Sequence, residues 1–311
     1  MNNTPLISIG IPAFKSWFIN EAIESILAQD YPHFELIIIN DASPEDIDSI
    51  VHSFHDDRIK YFVNKCNMGG ENVVDNWNRC LDLAKGDFFV LMGDDDRMER
   101  SYLSEFCRLI QKHPHLDVYH CRSLIIDENS NPVRFTASWP EYESLYENIW
   151  HRMNFLREQF LSDFMYRTTA LKSNGGFFKL PLAWLSDDIT SYIAMGNKGI
   201  AHTQEPVFCY RENRFSISNS GSIELKLLAA KKGIDWLHRF LNEKICVDNN
   251  QSIFYQNILK GLPTYRSKMN KSNILLARKS RNVSLLIKLL FNRRQYVLSF
   301  KEYFEGLLGK I

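Results

Sequence analysis

The 311-residue sequence lacks the motifs and segments that mark several large protein classes. Neither GxGxxG nor GxxxxGK[ST] occurs, so neither the dinucleotide fingerprint nor the phosphate loop of NTPases is available to hold a nucleotide. There is no run of about 18 apolar residues, which argues against a membrane-spanning helix. Residues 1–5 lead into a strand-like run without a basic region followed by an apolar stretch, so we expect no signal peptide.

The sequence also lacks CxxC motifs and has no net charge. The six cysteines form no CxxC pair and have no ligand-like spacing with histidine, which argues against a zinc site and a dense disulfide framework. A reducing compartment is the simpler assumption, and we expect a cytoplasmic protein. Lysine plus arginine balance aspartate plus glutamate, 37 against 37, so no global charge recruits nucleic acid. Without a recognition motif, a nucleic-acid partner ranks last.

The first 126 residues alternate strand-like and helix-like patterns with short connections. Strands are predicted at residues 6–11, 34–39, 59–63, 87–92 and 118–126. Helices are predicted at residues 19–29, 72–84 and 100–112, and one more opens at Ser43-Pro44, with serine as N-cap and proline at the first helical position. This alternation predicts an α/β fold with a mostly parallel sheet covered by helices on both sides.

The clearest candidate site is Asp94-Asp95-Asp96, which directly follows the apolar run at residues 88–93. Three carboxylates at the end of a buried strand concentrate negative charge, which a folded core disfavours unless a cation or sugar hydroxyls meet it. Oxygen ligands suit Mg²⁺ or Mn²⁺, which usually share their coordination between one or two carboxylates and substrate phosphates. A solvated turn is the alternative, but open α/β sheets place their ligands at the carboxyl ends of strands.

Further segments follow the other predicted strands in a characteristic order. They are Pro12-Ala13-Phe14, Asn40-Asp41-Ala42-Ser43, the segment from Asn67 to Asn78, Gly175-Gly176-Phe177, Ser186-Asp187-Asp188 and Tyr210-Arg211. Together with the acidic triplet they resemble the family 2 glycosyltransferases, nucleotide-sugar-dependent enzymes with the GT-A fold, over about residues 5–220. The resemblance implies transfer of a sugar from a nucleotide diphosphate donor to an acceptor hydroxyl, typically with inversion at the anomeric carbon.

The resemblance also implies a division of the chain. Residues 1–220 would form a Rossmann-like GT-A catalytic domain, with a nucleotide-binding half at about 1–126 and an acceptor half at about 127–220. Residues 221–311 look mainly helical and would form a basic C-terminal region.

The resemblance assigns several residues to the binding site of the donor nucleotide. Pro12, Ala13 and Phe14 match the loop that borders the base and ribose, and Asp41 matches an acidic position that hydrogen-bonds the base. The usual Asp-Asp-Gly-Ser of the family reads Asn40-Asp41-Ala42-Ser43 here.

Asn67 and Asn76 fall in the segment that closes over the nucleotide, with turn and cap asparagines as the alternative. In the triplet, Asp94 and Asp96 fit the metal-binding DxD pattern best, and Asp95 belongs to the same donor site. The resemblance directs one carboxylate toward the ribose or the metal and another onto a bound Mn²⁺ or Mg²⁺, without separating their individual roles.

The resemblance places an acidic general base shortly after the Gly-Gly-Phe segment, at a helix start. Asp187 or Asp188 is the expected base, with Asp187 preferred, and helix capping by Ser186-Asp187-Asp188 is the alternative. The loop that ends the catalytic region in this family matches Tyr210-Arg211 and the residues after it, namely Asn213, Arg214, Ser216 and Ser218. An arginine there would pair with diphosphate oxygens, and a surface ion pair is the alternative for Arg211.

Acidic residues are absent from residues 249–301, while eleven lysines and arginines fall there. Within this stretch Val283, Leu286, Ile287 and Leu290 have helical spacing. A cationic amphipathic helix can lie on an anionic membrane surface, which would make the protein peripheral on the inner face of the cytoplasmic membrane. The alternative is a helix that packs on the catalytic domain with a solvated basic face.

The resemblance implies a metal-dependent inverting glycosyltransferase in the synthesis of a bacterial surface polysaccharide or glycoconjugate, acting on a saccharide or lipid-linked saccharide acceptor, and the biological setting rests on the resemblance alone. A sugar nucleotidyltransferase would carry a glycine-rich basic loop near its N-terminus, which is absent. A non-catalytic sugar-nucleotide-binding or scaffold subunit is the more serious alternative.

Overall fold

The computed structural model describes residues 4–213, 221–243 and 250–310. Its strands form one ten-stranded sheet: β1 Ile7–Ala13, β2 Phe34–Asn40, β3 Ile59–Val63, β4 Phe88–Leu91, β5 Arg97–Met98, β6 Val118–Ile126, β7 Pro132–Phe135, β8 Tyr142–Glu143, β9 Phe164–Arg167 and β10 Ile200–Arg211. The α-helices of the described residues are α1 Ile19–Leu27, α2 Ile47–His52, α3 Val73–Leu83, α4 Tyr102–Lys112, α5 Leu145–Met153, α6 Thr168–Ser173, α7 Ser186–Met195, α8 Ile223–Glu243, α9 Ser252–Lys279, α10 Val283–Phe291 and α11 Phe300–Leu308.

One half of the sheet is parallel and has the strand order β3-β2-β1-β4. A helix follows each of the first three strands and returns the chain to the same end of the sheet, as parallel pairing requires. Ile9 of β1 lies between Leu36 of β2 and Val90 of β4. The carboxyl ends of β1, β2 and β4 therefore meet at one edge, where the predicted site residues follow them.

Beyond β4 the sheet becomes mixed. β9 lies antiparallel between β4 and β6, β10 is parallel to β6, and β5 is antiparallel to β10. The predicted α/β fold with a mostly parallel sheet is confirmed. The sequence pattern does not predict the insertion of β9, because its four residues are too few to show a period.

The predicted start of the second helix is wrong. The helix α2 begins at Ile47, and Asp46 is its N-cap, with Ser49 N donating to Asp46 Oδ1 at 3.0 Å. Ser43 has another role, since its hydroxyl donates to Phe14 O at 2.6 Å. This hydrogen bond joins the loop after β1 to the loop after β2.

Two apolar cores cover the two faces of the sheet, because neighbouring strand residues point to opposite faces. In β2, Leu36 and Ile38 belong to the core beneath α1 and α4, while Ile37 and Ile39 belong to the other core. The second core also contains side chains of α8 and α9, among them Leu237. The predicted domain boundary near residue 220 falls outside the described residues and stays a prediction.

The C-terminal part is helical, as predicted, and α10 includes the expected amphipathic stretch. Leu289 is buried in a small core with residues of α9 and α11, whereas Val283 and Ile287 are exposed. Among the helices of the described residues, none is both long and apolar enough to span a bilayer.

Candidate active site

The acidic triplet follows β4 and is tied to the loop that follows β1. The Asp94 Oδ2 atom accepts hydrogen bonds from Phe14 N and Lys15 N, each at 2.8 Å. Ala13 is also joined to the next strand end, because its carbonyl accepts from Asp41 N at 2.8 Å. The structure thus brings together residues 12–14, Asp41 and Asp94, as the sequence predicts.

The Asp41 carboxylate is buried and organises the loop after β3. It accepts from Asn64 Nδ2 at 2.5 Å and from Met68 N at 3.1 Å. Asn64 Nδ2 also donates to Asn76 Oδ1 at 3.2 Å, which joins the buried Asn76 to the same network. Asn67 is exposed, and its side chain accepts from Gly69 N in a local turn. The network fixes the loop over the end of β2.

Asp95 and Asp96 lie on the other side of the triplet. The buried Asp96 accepts from Arg211 N at 3.0 Å and from Ser162 Oγ at 3.3 Å, and Asp95 Oδ2 accepts from Asn213 Nδ2 at 2.5 Å. A Cβ atom on Gly93 would lie 2.8 Å from Asp96 Oδ2 and 3.0 Å from Asp95 Oδ1. A glycine at this position lets both carboxylates fold back against the strand end.

Negative charge in the triplet is incompletely balanced. Burial, and after it the charge of Asp95, raises the pKa of Asp94 to about 6. The same two causes, in the same order, raise the pKa of Asp96 well above its usual range. A divalent cation would relieve this repulsion, and Asp95 Oδ1 and Asp96 Oδ2 face the same small space beside Gly93. The residues present therefore fit an oxygen-ligated divalent cation.

Protein side chains alone do not enclose such a cation. Across residues 4–213, 221–243 and 250–310 there is no group of three or more His, Cys, Asp or Glu side chains arranged to hold a metal. Phosphate oxygens of a bound substrate would have to complete the coordination, as is common for Mg²⁺.

Asp187 and Asp188 lie in the first turn of α7 but have different surroundings. Asp188 is buried and accepts from Arg152 Nε at 2.8 Å and from Gln159 Nε2. Asp187 is partly exposed, and its Oδ1 accepts from Asp188 N at 2.9 Å. Burial, and after it the charge of Asp188, raises the pKa of Asp187 to about 7. Asp187 is thus the more accessible of the two aspartates, and its raised pKa lies near neutrality.

Helix capping explains less of this segment than the sequence suggests. The N-cap of α7 is Leu185, in a left-handed conformation with φ of 70°, and no side chain caps the helix. Ser186 is the first helical residue, and its Oγ accepts from Leu180 N at 3.2 Å.

A cavity of about 980 Å³ lies against Asp187. Its aromatic wall includes Trp184 and the pair Phe160 and Tyr210, whose rings stack with centroids 3.7 Å apart. Asn213 lines the cavity and also bonds Asp95, so the cavity opens next to the acidic triplet. Concave sites with aromatic walls and a few convergent polar groups are typical of small-molecule binding.

A family of known proteins matches the part of the chain that carries the acidic triplet. The model of glycosyl transferase family 2 matches residues 8–173, more than half of the chain. The chain belongs to glycosyl transferase family 2. The matched range includes Asp41 and the triplet, whereas both aspartates of α7 lie beyond it.

Curated family 2 relatives match over part of their length. The chain is 38% identical over 103 residues to the GalNAc(5)-diNAcBac-PP-undecaprenol beta-1,3-glucosyltransferase of Campylobacter jejuni, which covers 32% of this chain and 33% of that protein. It is 26% identical over 187 residues to the poly(ribitol-phosphate) beta-N-acetylglucosaminyltransferase TarS of Staphylococcus aureus, which covers 58% of this chain and 31% of that protein. The matches span about a third of the length of these two relatives.

Solved structures extend the likeness over almost the whole chain. The crystal structure of S. aureus TarS residues 1–349 with UDP-GlcNAc has a TM-score of 0.63 at 17% identity, and it covers 97% of this chain and 90% of that one. The mannosyltransferase PcManGT of Pyrobaculum calidifontis with GDP-Man and Mn²⁺ has a TM-score of 0.55 at 16% identity, covering 99% and 85%. At this identity the likeness concerns the fold, and the predicted GT-A fold is confirmed.

The sequence predicts that Arg211 pairs with the diphosphate, but the structure directs this side chain into the protein interior. The Arg211 side chain is fully buried and donates to Asp95 O at 2.7 Å, Ser130 Oγ at 2.9 Å and Glu21 Oε2 at 2.9 Å. Its guanidinium also lies 4.2 Å from the ring centroid of Phe18. Arg211 therefore holds the triplet in place from the protein interior. Arg214, Ser216 and Ser218 lie outside the described residues.

Sequence reasoning missed the residues that hold Asp188 and close the cavity. Arg152 and Gln159 precede Asp188 by 36 and 29 residues, without a local pattern that would connect them. Tyr265 and Met269 of α9 also line the cavity, although they lie far beyond the family 2 match. The acidic run at residues 187–188 signals a site, but only the fold shows which carboxylate is paired.

Proposed function

We propose that this family 2 chain transfers a sugar from a nucleotide diphosphate donor to an acceptor hydroxyl with inversion, and that Asp187 is the general base. One contrast carries the proposal: both aspartates line the cavity, but Asp188 is buried and held by Arg152 and Gln159, whereas Asp187 is partly exposed and has a pKa of about 7. A carboxylate with this pKa is available near neutral pH to accept the proton of an attacking hydroxyl.

In the proposed reaction the acceptor oxygen attacks the anomeric carbon of the donor sugar and transfers its proton to Asp187. The bond between that carbon and the diphosphate oxygen breaks on the opposite side, and its electron pair leaves with the nucleoside diphosphate. One in-line displacement inverts the configuration. Asp188 pairs with Arg152, and burial, followed by the charge of Asp188, raises the pKa of Asp187.

For the donor we propose the edge formed by the ends of β1, β2 and β4. Residues 12–14 and Asp41 would border the nucleotide, and Asn76 would act through Asn64, while Asn67 would lie on the exposed turn of the closing loop. The resemblance favours Asp94 and Asp96 as metal ligands. We instead propose that Asp95 and Asp96 would hold Mn²⁺ or Mg²⁺, because Asp94 Oδ2 is bonded to Phe14 N and Lys15 N, and that Asp94 lies on the side of the ribose. When bound, the cation would supply Lewis-acid stabilisation of charge on the phosphate oxygens.

Calorimetric titration with UDP, GDP, CDP and dTDP, with and without Mn²⁺, tests the donor site on the wild type and on Asp96→Ala. We expect metal-dependent binding of one nucleotide class that the variant loses. No binding at millimolar concentration to a folded protein would refute the donor site.

Turnover tests the base. We expect Asp187→Asn to bind the same nucleotide with unchanged affinity but to lose transfer and hydrolysis of the donor, while Asp82→Asn, at an exposed site on α3, keeps both. A scaffold subunit predicts nucleotide binding without turnover in the wild type and no effect of replacing both aspartates of α7.

The biological setting that we propose is synthesis of a bacterial surface polysaccharide or glycoconjugate, with a saccharide or lipid-linked saccharide as acceptor. The names of the relatives support it, since one acts on an undecaprenol-linked saccharide and another on poly(ribitol-phosphate).

We also propose that α10 and α11 contact an anionic membrane. Val283, Ile287 and Phe291 recur every four residues on α10 with exposed fractions of 66%, 52% and 78%. On α11 the exposed residues Phe300, Phe304 and Leu308 repeat the pattern, and Arg281, Arg294 and Lys301 are exposed nearby. Exposed apolar stripes flanked by cations fit the interface of an anionic bilayer.

Vesicle co-sedimentation tests the membrane proposal. We expect binding to vesicles that contain phosphatidylglycerol, weaker binding to pure phosphatidylcholine, and loss of binding in Ile287→Ser/Phe291→Ser. Ile253→Ser, which removes an apolar side chain of 68% exposure from the start of α9, should bind like the wild type. Equal binding by all three proteins would refute the contact.

A further inference from the structure

A second cavity, of about 830 Å³, lies outside the site described above, between α8 and residues 178–180. Four of its lining residues come from one face of α8, namely Lys232, Asp235, Trp236 and Arg239. Their spacing of three, four and seven residues places them on the same side of a helix. Arg266 of α9 and Lys179 complete the charged lining.

Positive charge in this cavity exceeds its negative charge. Asp235 is the one carboxylate among the described lining residues, and Arg266 Nη2 already pairs with it at 2.6 Å. Lys179 pairs with Asp75 at 2.5 Å. Lys232 and Arg239 have no carboxylate partner within the part of the chain that is described, so two cations face the cavity without a counter-charge.

Arg266 carries one hydrogen-bond donor without an acceptor among the described residues. The Arg266 Nε atom is buried and has no hydrogen-bond partner among the described residues. A buried N–H that forms no hydrogen bond is costly unless a ligand or water accepts from it. The pair of Arg266 with Asp235 holds the guanidinium at the cavity wall, but Nε itself is covered by the protein and is not among the donors that a ligand meets.

The remaining wall is aromatic. Trp236 is half-buried, lies 5.5 Å from Phe178 between ring centroids, and stacks on Phe240 at 4.7 Å. The electron-rich face of such a ring attracts the weakly positive C–H groups of a sugar ring. An aromatic platform beside unpaired cations therefore suits a sugar that carries an acidic group.

The second cavity adjoins the proposed active site. Leu180 lines the second cavity, whereas Leu182 and Leu185 line the first, so the segment at residues 180–185 separates the two. On α9 the neighbours Tyr265 and Arg266 likewise face different cavities. A saccharide that presents one hydroxyl to Asp187 can thus continue around this segment.

We infer that the second cavity is an acceptor subsite that binds an anionic saccharide unit, one that carries a carboxylate or a phosphate group. As an acceptor subsite it rests on the proposed transfer function. Lys232 and Arg239 recognise the oxyanion, and Trp236 recognises the sugar ring. The unit bound here is not the one that reacts.

Calorimetric titration with glucuronic acid, glucose 1-phosphate and glucose tests the subsite, because the first two probes separate a carboxylate from a phosphate. We expect at least one anionic sugar to bind about tenfold more tightly than glucose, the difference that one charge-assisted contact can supply. Lys232→Ala/Arg239→Ala should abolish this preference, and Trp236→Ala should weaken binding of the sugar. Lys279→Ala/Arg281→Ala, with the same loss of charge on another surface, should bind like the wild type.

The titration is repeated with the donor nucleotide and Mn²⁺ at saturation. Unchanged binding supports a separate subsite, and displacement by the nucleotide would place the anion in the donor site and overturn the inference. Equal affinity for glucose and both anionic sugars, or an undiminished preference in the double variant, would also overturn it. Nucleotide binding is measured independently, so failure of the donor site and failure of the subsite are distinguished.

Discussion

Asp187 and Asp188 are adjacent in the chain but differ in each property that decides whether a carboxylate can take a proton. Asp188 has a guanidinium and an amide as donors and is closed to solvent. Asp187 is partly exposed, and burial, followed by the charge of Asp188, favours its protonated form. One aspartate therefore tunes the other, a division of roles that is common where two acids lie side by side.

The pKa of Asp187 predicts how transfer depends on pH. Because the base must be ionised to accept a proton, kcat should fall about tenfold for each pH unit below 7 and level off above it. Asp187→Asn should lower kcat by about 100- to 10,000-fold at pH 8. Initial rates from pH 5 to 9 check this, and a rate that is flat across pH 5 to 7 would contradict the assignment.

Removing the partner of Asp188 should cost stability. In Arg152→Met the buried carboxylate loses its guanidinium, and we expect the free energy of unfolding to drop by about 3 kcal/mol at neutral pH. Adding Asp188→Leu should recover most of this loss, because no buried charge remains. Urea unfolding measures both, with Arg108→Met as a control at an exposed ion pair. If the free energy of unfolding stays low in the double variant, lost packing of the Arg152 side chain explains the effect and the unpaired charge does not.

At the scale of elements, the segment between the two cavities is conformationally strained. Leu182, Ala183 and Leu185 have positive φ values of 57°, 54° and 70°, a region that side chains with a Cβ disfavour. The segment leads directly into α7, so its conformation fixes where Asp187 points. Such strain persists because the surrounding packing holds it, here through Leu182 in the wall of the first cavity.

A glycine in this segment should relieve strain. Ala183→Gly removes a Cβ from a left-handed position, and we expect the free energy of unfolding to rise by up to about 1 kcal/mol. Ala170→Gly in α6, at an ordinary helical position, should lower it by about 0.5 to 1 kcal/mol. Urea denaturation at constant pH compares the two, and equal destabilisation would show that the strain is not costly.

Elements with a regular apolar period were predictable from sequence, and isolated contacts were not. The predicted bounds of β3 and β6 agree with the structure because both segments contain β-branched and aromatic residues and lie between polar residues. The start of α2 was mispredicted because Ser43 and Asp46 have equal capping propensity, and only the loop contact of Ser43 decides between them.

The same limit holds at the candidate site. Sequence motifs identify residue types, which suffices to propose the triplet and the two aspartates of α7 as candidates. They do not give the direction of a side chain, so the burial of Arg211 against Glu21 could not be predicted. Contacts made by Arg152 or Tyr265 depend on how distant helices pack, for which the chain carries no local signal.

At the scale of the whole molecule, one core joins the sheet to the C-terminal helices. Buried residues of α8 and α9, among them Ile234, Leu237, Ile258 and Leu262, share a cluster with Phe89 of β4 and Trp77 of α3. Each fully buried aliphatic side chain contributes about 1.5 to 3 kcal/mol relative to exposure. Within the described residues, the sheet thus shares its core with helices that follow residue 220.

This shared core predicts that residues 1–220 do not fold stably alone. We expect the full chain to unfold in one calorimetric transition involving the sheet and α8 and α9, and a chain ending at residue 220 to lose cooperative unfolding, because it would expose the core face that those helices cover. Differential scanning calorimetry of both chains is the measurement. Two separate transitions in the full chain, with the first 220 residues melting as before, would support independent domains.

The position of α9 in the wall of the first cavity has an evolutionary consequence. The proposed donor edge consists of residues within the family 2 match, whereas Tyr265 and Met269 come from a helix outside it. Substitutions on that helix can reshape the space where an acceptor would lie without altering the triplet or the loop held by Asp41. Acceptor preference can therefore diverge among related chains while the nucleotide chemistry is inherited, and a library restricted to one face of α9 is the natural starting point for redirecting it.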